Sequence, residues 1–211
     1  MFVSAIIPAY NEENTVADVI GTVKEVKEVD EVVVVSDGSR DNTAFISKRC
    51  GAKVVELPEN RGKGAAIKAG LQACRGDILL LLDADLVGLK AQHIRDLLEP
   101  VVKNHADMSV GIFTKGRLST DLAQKIAPQL SGQRAVKRSV LEGLSNLEIT
   151  GYGVDFVLTR YAEKAKVRVC EVEMKDLTHV TKEEKLGFVK GFAQRMKMYW
   201  QIYRGIILAK R

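Results

Sequence analysis

The chain has 211 residues, 46% hydrophobic and 28% charged, an ordinary globular balance that excludes disorder as the main state. Seventeen glycines and four prolines exclude collagen-like and low-complexity chains, and no run approaches the ~18 apolar residues that cross a bilayer. A net charge of +5 and a pI near 9.0 suit an ordinary enzyme or one with an anionic partner.

In chain order, residues 2–8 carry an apolar strand pattern, and 14–28 a helical one with Asn14 as its N-cap. Residues 31–36 read as a second strand, 41–50 as a helix opened by Asp41, and 53–57 as a third strand. Helical spacing over 62–75 leads to a strand at 77–83, whose unbroken apolar stretch 78–82 suits burial on both faces. Strands alternating with helices argue for an α/β fold, a mostly parallel sheet covered by helices on both sides. Beyond Asp85 the expected elements are a helix at 90–105, a strand at 108–113 and a polar loop at 115–119. Helices at 121–126, 134–144 and 154–166 follow, then an alternating strand at 167–174. Residues 182–210 read as one long helix carrying Phe188, Phe192, Met196, Tyr199, Tyr203 and Ile206 at helical spacing, with basic residues between them. Such a stripe suits packing on its own core, on a second copy, or at a membrane interface.

No linker or repeat interrupts the chain, so 1–211 is expected to be a single domain. Its amino terminus lacks the basic region of a signal peptide. Cys50, Cys74 and Cys170, odd in number and far apart, read as reduced core thiols of a cytoplasmic protein. His93 and His105 fall in or beside a polar helix and are expected to be solvated.

Ligands of open parallel sheets bind outside the carboxyl ends of the strands. Four polar clusters fall there: residues 8–13 (Pro-Ala-Tyr-Asn-Glu-Glu), 36–41 (Ser-Asp-Gly-Ser-Arg-Asp), 60–64 (Asn-Arg-Gly-Lys-Gly) and 83–85 (Asp-Ala-Asp). Each alone is an ordinary turn or helix entry, but four on one face call for a ligand with polar base edges and phosphates. Two carboxylates one residue apart after a buried strand supply hard oxygen ligands for Mg²⁺ or Mn²⁺. A P-loop is excluded, because the 61–64 segment lacks the upstream glycine spacing and a Ser or Thr after its lysine. The dinucleotide fingerprint is absent too.

Over residues 1–90 these four segments, in this order, resemble the family 2 glycosyltransferases of GT-A fold, with a Rossmann-like sheet. The chain is also similar to the glucosyl-3-phosphoglycerate synthases and the polyprenyl-phosphate sugar transferases in that family. The resemblance implies a nucleotide-sugar half at 1–90, an acceptor half at 91–181 and a C-terminal amphipathic helix at 182–211. Pro8, Tyr10, Asn11 and Glu12 would line the nucleoside pocket. The family usually has an acidic residue where Ser36 stands, so the contact to the base ring N–H would fall on Asp37. Lys63 would meet the diphosphate as a catalytic cation. Asp85 would be the direct metal ligand and Asp83 would bridge to the ribose or the metal, with His179 as a further ligand.

In the second half, Gly151-Tyr152-Gly153-Val154-Asp155 looks like the family's acceptor-side segment, with Tyr152 at the acceptor and Asp155 as general base or holder of a sugar hydroxyl. Ser131-Gly132-Gln133-Arg134 resembles a segment in which Arg134 would clamp an acceptor phosphate. The expected partners are a nucleotide-sugar donor (UDP favoured over GDP) and a phosphate-bearing acceptor, either polyprenyl phosphate or a small phosphorylated metabolite. Peripheral contact at the inner face of the membrane through the tail helix, or a homo-oligomer, fits the same sequence. Nucleic acid does not, because basic residues alternate with aromatics only in the tail. A sugar nucleotidyltransferase and a non-catalytic nucleotide-sugar binding module are the alternatives.

Overall fold

The computed structural model describes residues 1–113, 131–143 and 154–179. The expected helices at 121–126 and 182–210, the 115–119 loop and Tyr152 lie outside these residues. In chain order the elements are β1 (Val3–Ala9), α1 (Val16–Lys24), β2 (Glu31–Asp37), α2 (Thr43–Arg49), β3 (Lys53–Leu57), α3 (Lys63–Ala73) and β4 (Ile78–Leu81). There follow β5 (Leu86–Val87), α4 (Ala91–Val102), β6 (Met108–Phe113), β7 (Arg134–Lys137), α5 (Arg138–Glu142), α6 (Val154–Lys164), β8 (Val169–Met174) and β9 (Thr178–His179).

Seven strands form one sheet in the order β3-β2-β1-β4-β7-β6-β8, and β5 pairs with β9 in a separate ribbon. Within the large sheet only β7 runs against the others, antiparallel to both β4 and β6. The central strands alternate strictly between two cores. Ala5, Ile7, Val34 and Leu80 face one side with Val19, Ile20 and Val23 of α1 and Leu97 and Leu98 of α4. Ile6, Val33, Val35, Leu79 and Leu81 face the other with Ile67 of α3, Leu141 of α5 and Leu158 of α6. A period of two on doubly covered strands gives two apolar layers from one unbroken apolar run.

Three sequence expectations are corrected here. Residues 134–137 form a strand and not the start of a helix, because their backbone fills the gap between β4 and β6 with Ala135 and Val136 turned to opposite cores. Pairing on both sides outweighs local propensity there. Helix α1 begins after Thr15, not at Asn14, since Glu12 O accepts from the amides of both Thr15 and Val16. His93 is buried, its Nδ1 accepting from the Lys90 amide at the start of α4. The three cysteines are free, although Cys50 and Cys170 are only half-buried.

Helix α3 crosses β1 so closely that a Cβ on Gly70 would reach Ile6 Cγ2 at 2.5 Å. Gly21, on the exposed face of α1, has nothing within 4 Å of its added Cβ. At the opposite end of the sheet from the site, Asp107 ties three strands. It accepts from Lys137 Nζ at 2.8 Å and from Arg168 Nε and Nη2 at 2.9 Å. Arg168 first, then Lys137, holds the Asp107 carboxyl well below its usual range.

Gly70→Ala is expected to destabilise by about 1–3 kcal/mol through overpacking, while Gly21→Ala stabilises by roughly 0.5–1 kcal/mol; urea unfolding of both variants checks the sign. A depressed carboxyl stabilises the fold above its unfolded value of 3.8 and loses that contribution as pH falls below it. Asp107→Asn should therefore flatten the acid limb of a stability–pH curve below about pH 4.

Candidate active site

Because β1, β2 and β4 are parallel, their carboxyl ends open on one edge of the sheet. The reversal of β7 brings its amino end to that same edge, with Arg134 opposite Leu81. Residues far apart in sequence therefore meet just beyond β4.

The loops after β1 and β2 are stitched together. Asn11, at φ +55°, donates its amide to Ser39 Oγ, and its Oδ1 accepts from the Arg40 amide. The Glu12 amide donates to Thr43 Oγ1, and Thr43 in turn donates to Asp41 Oδ1. Pro8 lies within β1 beside Val35, and Tyr10 is 44% exposed. Tyr10, Asn11 and Glu12 thus follow directly on the carboxyl end of β1.

Asp37, expected at the nucleobase, accepts from two backbone amides. Its carboxylate is buried, with Oδ1 accepting from the Arg61 amide and Oδ2 from the Gly62 amide, both at 2.8 Å. It faces the 59–62 turn, whose backbone packs where Gly38 has no side chain.

Lys63, the first residue of α3, reaches the end of β4. Its Nζ lies 2.6 Å from Asp83 Oδ1 and 2.9 Å from Asp155 Oδ2 on α6. Gln133 Nε2 donates to the other Asp83 oxygen at 2.8 Å. Gly132 presses against this group, since a Cβ there would strike Lys63 Nζ and both Asp83 oxygens. Burial presses the Lys63 pKa down, but the charges of Asp155 and Asp83 outweigh it and hold the ammonium above the ordinary lysine range. Burial pushes the Asp155 carboxyl up; Lys63 draws it back and the Asp83 charge raises it again. Asp155 Oδ1 is buried with no hydrogen-bond partner among the described residues.

Arg134 does not present a fork to an acceptor phosphate. It is fully buried, donating from Nε to Ser131 O and from Nη2 to Asp155 O and Thr159 Oγ1. Its guanidinium fastens the start of β7 to the first turn of α6 and so fixes Asp155.

Asp85 is half-buried and directly precedes β5. The β5–β9 ribbon sets Leu86 opposite His179, so the backbone of His179 lies beside the end of the Asp83-Ala84-Asp85 segment. Among the described residues no three His, Cys, Asp or Glu side chains gather into a metal cluster. The two carboxylates are hard donors of the type Mg²⁺ and Mn²⁺ select, and both metals take their remaining ligands from phosphates and water. Gln133 and the Lys63–Asp155 pairing escape sequence reasoning, because each joins residues separated by tens of positions. The signal that could have found Gln133 is its place in the Ser131-Gly132-Gln133-Arg134 segment.

Residues 4–151, more than half the chain, match the family described as Glycosyl transferase family 2, and the chain belongs to that family. Its architecture is the GT-A fold. A glucosyl-3-phosphoglycerate synthase of Mycolicibacterium smegmatis is 38% identical over 109 residues, 47% of this chain and 36% of that protein. An undecaprenyl-phosphate 4-deoxy-4-formamido-L-arabinose transferase of Pseudomonas fluorescens is 40% identical over 95 residues, 40% of this chain and 28% of that protein. The chain thus spans about a third of the length of these curated relatives. In fold it is similar to glucosyl-3-phosphoglycerate synthase from Mycobacterium tuberculosis in complex with Mn²⁺, UDP and glucosyl-3-phosphoglycerate. The TM-score is 0.83 at 24% identity, covering 98% of this chain and 78% of that one.

Removing Lys63 leaves two carboxylates close together with no ammonium between them. Lys63→Met is expected to lose about 3 kcal/mol of stability at neutral pH. Both carboxyls then take up protons more readily folded than unfolded, so part of the loss returns as pH falls toward 4. The Lys63→Met/Asp155→Asn double variant should be less damaged than the sum of the singles, read by chemical denaturation at pH 7 and pH 5.

Proposed function

We propose that this chain transfers a sugar from a nucleoside diphosphate, UDP in preference to GDP, onto a phosphate-bearing acceptor, using Mn²⁺ or Mg²⁺. The observation that carries the reading is the convergence of Lys63, Asp83 and Asp155 where β4 runs into the Asp83-Ala84-Asp85 segment. An ammonium and two carboxylates at one strand end form a place where diphosphate charge, a metal and sugar hydroxyls can all be met. Both relatives described above act, by their names, on phosphate-bearing compounds, phosphoglycerate and undecaprenyl phosphate.

The donor lies along the edge opened by β1, β2 and β4. Tyr10, Asn11 and Glu12 border the nucleoside, Pro8 shapes the floor beneath them, and Asp83 meets the ribose. Asp85, with His179 beside it on β9, holds the metal, which when bound neutralises charge on the departing diphosphate. Lys63 stays charged at any working pH and adds a fixed positive field as the sugar–oxygen bond breaks. Asp155 Oδ1 is poised to accept from a sugar hydroxyl, which would satisfy its missing hydrogen bond. Where the acceptor attacks through a hydroxyl, Asp155 takes its proton as general base; where it attacks through a phosphate oxygen, no strong base is needed and Asp155 orients the sugar. Tyr152, two residues before α6, belongs to the acceptor side. Residues 1–90 form the donor half and 91–181 the acceptor half of one domain. No helix among the described residues is long and apolar enough to cross a membrane. The 182–211 segment would bring a cytoplasmic enzyme to the inner membrane face when its acceptor is lipid-linked.

A thermal-shift panel of UDP, GDP and CDP, each with and without Mn²⁺, tests the donor. UDP with Mn²⁺ should stabilise the protein by about 2.7 kcal/mol at a hundredfold excess over Kd. Asp85→Ala should abolish this rise and sugar transfer with Tm in the absence of ligand unchanged. A binding module or a nucleotidyltransferase would show no sugar transfer to phosphate acceptors in the intact protein, and that result would sink the proposal.

A further inference from the structure

Between β2 and α3 lies a carboxylate whose task differs from the one its motif suggests. We infer that Asp37 is a positioning residue: it sets the Arg61–Gly62 backbone, and through it the Lys63 ammonium, for the donor diphosphate, and does not read the nucleobase. This rests on the donor reading proposed above.

Both Asp37 oxygens accept amide N–H bonds at 2.8 Å, from Arg61 and from Gly62, and the residue is only 4% exposed. Both oxygens are thus committed to backbone donors in a buried place, where charge-assisted bonds are strongest, and little of the carboxylate is left open to a base ring N–H. The turn it holds needs outside support. Gly62 has φ +90°, a conformation side chains rarely adopt, and α3 gains no side-chain cap from it. Asp37 supplies the missing acceptor, and its negative charge is favoured beside the positive end of a helix. Gly38, at φ +67°, lets the β2 loop close directly onto the Glu59 and Asn60 backbone.

The consequence falls on the next residue. Lys63 follows Gly62 and reaches Asp83 and Asp155 from this starting point. Releasing the turn would free the backbone from which the Lys63 stem is anchored. Selectivity for the base then belongs to groups on the β1 and β2 loops other than this carboxylate.

The test separates the two roles by comparing bases. With Mn²⁺, the affinities of the wild type and Asp37→Asn for UDP, GDP and CDP are measured by calorimetry. The positioning role predicts that all three fall together by about tenfold, leaving their ratios unchanged. It also predicts that Asp37→Asn adds little to the loss in Lys63→Met, because both act through one ammonium. A selective loss of UDP affinity, or fully additive losses, would overturn the inference. Should Asp37→Asn fail to fold, hydrogen exchange in the wild type decides. Protection of the Arg61 and Gly62 amides should hold or rise when UDP binds, and a fall at either amide would overturn the inference. A wild type that binds none of the three nucleotides refutes the donor reading itself, a result distinct from either.

Discussion

One ammonium between two carboxylates holds the site together. Lys63 draws the end of β4 and the first turn of α6 onto the head of α3, joining parts of the chain up to 92 residues apart. Three partly dehydrated charges in contact are favourable only as a set, because each alone would bear a desolvation penalty of several kcal/mol. Their neighbours serve the same end. Gln133 takes the second oxygen of Asp83, Arg134 holds the Asp155 carbonyl, and Gly132 leaves room for all of them. The result is a polar cluster in which Asp155 Oδ1 finds no hydrogen-bond partner among the described residues. A buried acceptor without a donor is costly in the resting protein, and a hydroxyl-bearing ligand would relieve it.

Topology makes this cluster possible. Parallel strands deliver their loops to one edge, and the reversed β7 delivers the segment before it to that edge as well. A seventh parallel strand would have sent Gln133 and Arg134 to the far end, where Asp107, Lys137 and Arg168 tie the strands. The two ends of the sheet thus divide the labour. One end carries an ionic knot of Asp107, Lys137 and Arg168, while the other gathers its charges just beyond β4.

Glycosyl transfer by this family asks a protein for a cradle for a diphosphate, a metal position and a hold on the sugar. The chain places candidates for each within one edge of one sheet. The loops after β1 and β2 are cross-braced by Ser39, Asp41 and Thr43.

The local sequence determined the first four strands, their helices and the place of the four polar loops, because apolar period and turn residues are short-range signals. It determined the family too, through the spacing of the segments around Asn11, Asp37, Lys63 and Asp85. Long-range pairing decided the rest. Residues 134–137 have nothing in their composition that demands a strand; β4 and β6 on either side demand it. Arg134, expected to face a ligand, was turned inward by the same pairing, which buried its guanidinium against α6. Asp37 kept its motif position but found two backbone amides waiting, an encounter set by the path of a turn 24 residues later. Motifs name the chemical groups available, and tertiary packing decides which of them face the ligand and which are spent holding the others in place.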